Sequence, residues 1–206
     1  MQPSFLIENN FETTLICGID EAGRGPLAGS VVACCYLMNR DLNIAEINDS
    51  KKLSKKTRQK IFQNIRLVEK YGLGIVDEEI IDRINILQAT KLAMKMAYQD
   101  FCQKYQIYPK IILVDGNVSP FEICDEIEKI IPIVKGDQKS MTIATASIIA
   151  KESRDEIMQK YHDKYPHYGF NKHYGYPTKL HLEKINQYGI CKIHRKSFEP
   201  IKSLIK

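Results

Sequence analysis

The chain predicts an α/β fold: a mixed β-sheet flanked by helices, with a helical C-terminal extension. Three observations carry this. Residues 15–20 and 30–37 are rich in Ile, Val, Leu and Cys and are separated by a short glycine-rich loop, which reads as an antiparallel start. Apolar runs then alternate with stretches of helical spacing, as parallel strands with crossover helices require. The last quarter carries helical signals only.

The elements follow in order. After the two opening strands, Ser54 is placed to cap a helix running to Tyr71, with Ile61, Ile65 and Val68 at helical spacing and Gly72 as its stop. Residues 73–76 form a third short strand. Residues 78–105 read as a helix broken near Asn85, with Ile84, Leu87, Leu92, Met96 and Phe101 on its apolar side. Residues 110–114 are a continuous apolar run, suited to a central strand buried on both faces. Residues 121–130 read as a short helix. The strand at 131–134 contains Pro132, which favours an edge or a strand start. Long helices are expected at 141–161 and at 178–188, the latter capped by Thr178 and stopped by Gly189.

With 206 residues, the chain fits one domain able to bury a core without staples. No apolar run approaches bilayer length, and Met1-Gln2-Pro3-Ser4 lacks the basic and apolar regions of a signal peptide, so a cytoplasmic protein is expected. The six cysteines form no C-x-x-C and read as reduced, mostly buried thiols. The five histidines crowd the C-terminal quarter without metal-ligand spacing and read as surface or capping groups or minor substrate contacts. The net charge of +5 is unevenly spread: residues 51–60 hold six basic side chains and no acid, and residues 192–206 hold five with one acid. Such clusters suit either a polyanion-binding face or solvated lysine-rich surfaces. Nothing demands more than a monomer.

Asp20 and Glu21 end the first apolar run, and Asp115 ends the run at 110–114. Ligands gather beyond the carboxyl ends of strands, so Asp20 and Asp115 converge if their strands are neighbours. In a regular strand Glu21 would face away from Asp20, and the turn into Gly23 can redirect it. Ser147, Lys151 and Asp155 lie at i, i+4 and i+8, on one helix face that Ala144 continues toward the sheet. Clustered acids repel unless a cation is present, which points to Mg²⁺ or Mn²⁺, two ions serving an in-line displacement. Singly, each acid could equally be a turn former, a cap or a surface ion pair. Gly23-Arg24-Gly25 lacks the spacing of a dinucleotide fingerprint; glycine lets backbone N–H groups approach a phosphate, and arginine grips it.

The same residues carry a family resemblance. Gly18-Ile19-Asp20-Glu21-Ala22-Gly23-Arg24-Gly25-Pro26-Leu27-Ala28-Gly29 resembles the first signature block of bacterial ribonuclease HII. Asn48 to Ser54, Val114 to Asn117, Val134 to Asp137 with Ala146 to Asp155, Gly175 to Thr178, and Ser197-Phe198 resemble the later blocks, in family order across nearly the whole chain. The resemblance implies a single ribonuclease H-like catalytic domain over residues 1–206, with residues from about 160 to 206 as a substrate-binding extension. It implies a metal-dependent endonuclease that cuts RNA in RNA/DNA hybrids and 5′ to single ribonucleotides in duplex DNA, leaving 3′-hydroxyl and 5′-phosphate ends, in ribonucleotide excision repair and DNA replication. Asp20, Glu21, Asp115 and Asp155 fall on the four acidic positions of the metal site. Asp155 is preferred over Asp137, Asp125 and Glu152 because it sits at the family's Arg-Asp position.

By the same resemblance, Gly23, Arg24 and Gly25 read the ribonucleotide 2′-hydroxyl and Tyr176 packs on the junction nucleotide. Ser50, Lys51 and Lys52 are expected as phosphate contacts, and Ser147 and Lys151 as further substrate contacts. Three positions depart from the pattern: Ser30 where proline is common, Tyr174 where lysine is common, and Lys196 where arginine is common. Ribonuclease HIII carries an extra N-terminal domain, whereas 19 residues precede Asp20 here. Another nuclease of the same fold, or a non-catalytic nucleic-acid-binding module, are the remaining alternatives. Whether the basic tail meets nucleic acid or a replication or repair partner stays open.

Overall fold

The computed structural model describes residues 2–41, 47, 53–122 and 126–205. Five strands form one sheet: β1 (Ile16–Ala22), β2 (Val31–Leu37), β3 (Tyr71–Val76), β4 (Ile111–Asp115) and β5 (Lys129–Ile133). Their order is β3-β2-β1-β4-β5. The first three pair antiparallel, and β4 and β5 join parallel to β1, so the sheet is mixed as predicted. The helices are α1 (Lys55–Val68), α2 (Glu78–Tyr105), α3 (Met141–Lys164), α4 (Phe170–His173), α5 (Lys179–Tyr188) and α6 (Ile201–Leu204).

Alternation along the strands explains the layers. Cys17, Ile19, Ala33, Cys35, Ile112 and Val114 face α2, where Ala89, Ala93, Ala97 and Phe101 meet them. Cys34 and Tyr36 face the other way, against Ile61 and Ile65 of α1 and Ala144 and Ile148 of α3. The sheet is thus sandwiched between helices. The C-terminal region packs Tyr168, Phe170 and Ile193 onto Ala28 and Met158, and Ile185 and Ile201 onto Leu27. It therefore rests on the loop between β1 and β2. The described cysteines are all free thiols, four of them buried. No helix among the described residues is long and apolar enough to cross a membrane.

Local chemistry explains most helix ends. Ser54, Ser140 and Thr178 accept hydrogen bonds from the N–H groups of Thr57, Ile143 and His181, capping α1, α3 and α5. Buried Glu8 accepts from the Ser140 hydroxyl (2.6 Å) and the Thr142 N–H (3.1 Å), placing a carboxylate at the positive end of α3. Asn85 adopts φ 67° and breaks α2, and its side chain recaps the second half through Leu87 and Gln88.

Three expectations are corrected. The first helix ends at Val68, because Glu69 is drawn off by the Tyr36 hydroxyl (2.9 Å) and Asn39 (3.0 Å). Gly72 is no helix stop: it pairs with Cys35 inside β3, where α2 passes so close that a Cβ would lie 2.3 Å from the Ala97 carbonyl. The helix expected at 121–130 is absent from its described part. There β5 begins at Lys129 because it pairs with β4, and Pro132 is tolerated inside this edge strand.

Candidate active site

Parallel pairing of β1 with β4 sets Ile19 opposite Val114, so Asp20 and Asp115 emerge side by side at the strand ends. Helix α3 reaches the same place because Gly18 has no side chain; a Cβ there would lie 2.6 Å from the Thr142 backbone. The result is a cavity of about 260 Å³. Asp20, Glu21 and Asp115 line one part of it, Ser147 and Lys151 of α3 another, and Arg58 of α1 a third. Gly23, Arg24 and Gly25 of the loop and Tyr176 close the remainder.

The acids are held by specific donors. The Glu21 N–H donates to Asp20 Oδ1 (2.7 Å), and the Gly136 N–H to Asp115 Oδ1 (2.7 Å). Arg24 pairs with Glu21 at 3.3 Å. Burial pushes the Asp20 carboxyl well above the usual range, and the charges of Glu21 and Asp115 push it further; the Ser147 hydroxyl and the Glu21 N–H pull back. Burial also raises Glu21, with Arg24 opposing and Asp115 adding to the rise. Buried, mutually repelling carboxylates that resist ionisation favour a bound cation.

Among the described residues, no three His, Cys, Asp or Glu side chains are already arranged around one metal position. The donor set still fits a hard ion such as Mg²⁺, which binds through one or two carboxylates and completes its shell with water and substrate oxygens. Asp20 and Asp115 are the neighbouring pair, and Glu21 stands beside them while paired to Arg24.

Asp155 is not brought into this cavity. It lines a second one of about 230 Å³ with Lys55, Glu152 and Tyr174. The reason is tertiary: Arg58 from α1 reaches across to pair with Glu152 and lies 3.7 Å from Asp155 Oδ2, while Lys151 takes Asp155 Oδ1 at 2.5 Å. Lys151 thus stands between Asp155 and the other acids. Burial lowers the Lys151 ammonium, and Asp155 partly restores it. Asp137 is buried too, and follows Gly136, whose N–H holds Asp115. Ser50, Lys51 and Lys52, like Asp125, lie outside the described residues.

The departures from the expected pattern each have a place. The Ser30 carbonyl accepts from Arg154 (2.9 Å), and the Lys196 N–H donates to Asp82 (2.8 Å). The Tyr174 ring lies under two ammonium groups, Lys55 at 5.2 Å and Lys151 at 4.8 Å.

Two groups of supporting residues went unread in the sequence. His173, His181 and His194 are buried rather than at the surface. His181 bonds the Tyr176 carbonyl through Nδ1 (2.9 Å) and His194 through Nε2 (3.1 Å), so this cluster props up Tyr176. Arg154 and Arg195 are fully buried against the β1–β2 loop. A signal for Arg154 exists: it stands at i+4 steps with Ala146, Ala150 and Met158, a line otherwise wholly apolar.

The chain is similar to known proteins over most of its length. The family model for Ribonuclease HII matches residues 17–201. Ribonuclease HII of Chlamydia caviae is 47% identical over 196 residues, covering 93% of this chain and 87% of the relative. The crystal structure of ribonuclease H2 from Pyrococcus horikoshii superposes with a TM-score of 0.72 at 26% identity, covering 92% of this chain and 96% of that one. The crystal structure of Bst-RNase HIII in complex with Mn²⁺ has a TM-score of 0.73 at 18% identity over 99% of this chain and 73% of the other, a likeness of fold.

Proposed function

This chain belongs to the ribonuclease HII family and is a metal-dependent ribonuclease acting on RNA/DNA hybrids, and we propose that it also cuts 5′ to a single ribonucleotide embedded in duplex DNA, leaving 3′-hydroxyl and 5′-phosphate ends. The observation that supports this most is the sharing of one cavity by Asp20, Glu21 and Asp115 with the Gly23–Arg24–Gly25 loop and Tyr176. Acids for a cation and groups for a sugar–phosphate backbone stand within one substrate's reach.

In this reading Asp20 and Asp115 hold Mg²⁺ or Mn²⁺, with Glu21 beside them. The Mn²⁺ in the RNase HIII structure is consistent with that choice. Two bound ions supply the Lewis acidity and charge neutralisation of an in-line phosphodiester displacement. The chain's own residues do the rest. Ser147, which bonds Asp20, keeps that carboxylate oriented. Lys151, aligned by Asp155, and Arg58 set positive charge beside the phosphate that enters the cavity. Asp155 then acts on Lys151 rather than as a fourth ligand. The loop backbone meets the 2′-hydroxyl, the feature that separates RNA from DNA. Tyr176, 39% exposed at the cavity, offers its ring to the junction nucleotide. Ser50, Lys51 and Lys52 add phosphate contacts from outside the described residues. The same proposal has the enzyme working as a cytoplasmic monomer in ribonucleotide repair and replication, with its extension from about residue 160 gripping the duplex.

The test is cleavage of an end-labelled DNA duplex containing one ribonucleotide, with Mg²⁺, Mn²⁺ or EDTA, and with an Asp20→Asn variant. One metal-dependent cut on the 5′ side, lost in the variant, is the expected result. Cutting of longer hybrids alone would remove the junction role, and binding without any cutting would favour a non-catalytic module.

A further inference from the structure

Two guanidinium groups lie beneath the Gly23–Ser30 loop, both fully buried. Arg195 donates to the carbonyls of Gly23 (2.6 Å), Arg24 (3.1 Å) and Gly29 (2.9 Å). Arg154 donates to Ala28 (3.1 Å), Ser30 (2.9 Å) and, from the neighbouring segment, Tyr174 (3.0 Å). Among the described residues neither is ion-paired with a carboxylate, so six carbonyl oxygens are their counterparts. Burial pulls Arg154 down to about 10 and Arg195 to about 9, so both remain charged at neutral pH. Gly23 makes this passage possible: its φ is 101°, and a Cβ there would lie 2.2 Å from Arg154 Nε.

The consequence follows from peptide geometry. The only cis bond among the described residues is Glu199–Pro200, so the Gly23–Arg24 and Arg24–Gly25 peptides are trans. In a trans peptide the C=O and N–H point in opposite directions. With the carbonyls of Gly23 and Arg24 turned down onto Arg195, the N–H groups of Arg24 and Gly25 are turned away from it. Both residues line the cavity, and neither N–H bonds another described residue. A loop turned over would present carbonyl oxygens to an anionic backbone and repel it.

We propose that Arg195, with Arg154 beneath the same loop, is a positioning residue that fixes the polarity of the Gly23–Arg24–Gly25 backbone, so that N–H donors rather than carbonyls meet a sugar–phosphate oxygen of the substrate. This rests on the ribonuclease reading above. Arginine does what lysine cannot: its planar fork holds two adjacent carbonyls and a third beyond them.

Wild type and two variants, with one control, test this: Arg195→Lys and Gly25→Pro. The last deletes one of the two N–H groups and leaves the arginine in place; Gly25→Ala, which keeps the N–H, is its control, since a Cβ there has room at 3.8 Å from Tyr176. Binding is read by fluorescence anisotropy in Ca²⁺, with duplexes that carry or lack one ribonucleotide. Wild type prefers the ribonucleotide, and Arg195→Lys and Gly25→Pro lose about tenfold of that preference, the scale of one net hydrogen bond in binding. Loss of stability alone would weaken both duplexes equally. A folded Arg195→Lys that keeps the full preference overturns the proposal; if that variant does not fold, Gly25→Pro decides in the same way. If wild type cuts neither substrate and prefers neither duplex, the ribonuclease reading is what has failed. The positioning role is then read from ¹⁵N–¹H spectra with inorganic phosphate. Shifts of the Arg24 and Gly25 amides in wild type but not in Arg195→Lys support it, and equal shifts, or none in either protein, overturn it.

Discussion

Replacing Asp20 by Asn is expected to stabilise the metal-free protein while abolishing cleavage. Asp20 is 4% exposed and stands beside Asp115 on the adjacent parallel strand. At a strand spacing of about 4.8 Å and an effective dielectric near 20, two carboxylates repel by roughly 3 kcal/mol. Glu21 adds to that, and burial adds a desolvation cost. Against this, asparagine weakens the bonds from the Glu21 N–H and the Ser147 hydroxyl by about 1 kcal/mol each. The balance favours Asn by about 1–3 kcal/mol, or roughly 2–12 °C of melting temperature for a chain of this size. Thermal melts in EDTA and in Mn²⁺ read it directly. In EDTA the variant melts higher; Mn²⁺ raises wild type and leaves the variant nearly unmoved, because binding to the native state is what stabilises. A variant that melts at or below wild type in EDTA would refute the claim that Asp20 is strained by uncompensated charge.

Three further outcomes are expected. Asp155→Asn weakens the bonds to Lys151 and Arg58, costs about 1–3 kcal/mol of stability, and leaves Mn²⁺ affinity unchanged, whereas Asp137→Asn, titrated alongside, shows whether the acid next to the Asp115 support matters more. Gly18→Ala forces α3 off β1, lowering stability by about 1–3 kcal/mol in denaturant titration and activity with it, because Ser147 moves away from Asp20. His181 and His194 are both held down to about 4 by burial, against 6.5 in the unfolded chain. The unfolded chain therefore binds more protons between those values, so stability is full above about pH 6.5 and is lost as pH falls toward 4; at about 1.4 kcal/mol per unit, the bridged pair accounts for about 3 kcal/mol or more. Denaturant titrations at pH 7 and pH 4.5 measure it, and His181→Gln flattens part of the slope.

What could be read from the sequence was what local chemistry writes. Strands β1 and β4 announce themselves as apolar runs, and the acids that end them mark where the sheet stops. Their adjacency is a matter of tertiary pairing, which the runs themselves do not state. Ser147 and Lys151 were legible because i+4 spacing is enough to put them on one face. Asp155 shares that face, yet its fate was decided by Arg58, about 100 residues earlier and on another helix, which no spacing rule reaches. The early end of α1 has the same origin, in Tyr36 and Asn39 drawing Glu69 away. Gly72 carried a stop signal that a strand could use equally well, and only the closeness of α2 explains its being glycine. Three of the histidines are buried because each finds partners, His181 on the Tyr176 carbonyl and on His194, and His173 on the Tyr168 carbonyl and the Gly175 N–H, an arrangement that composition does not record.

The most direct test of the central claim is the anomalous scattering of Mn²⁺ in crystals of the protein. A metal peak within ligand distance of the Asp20 and Asp115 carboxylates, in the cavity that also holds Gly23–Arg24–Gly25 and Tyr176, is the predicted result. A peak at Asp155 and Glu152 instead, with none at Asp20, would contradict it.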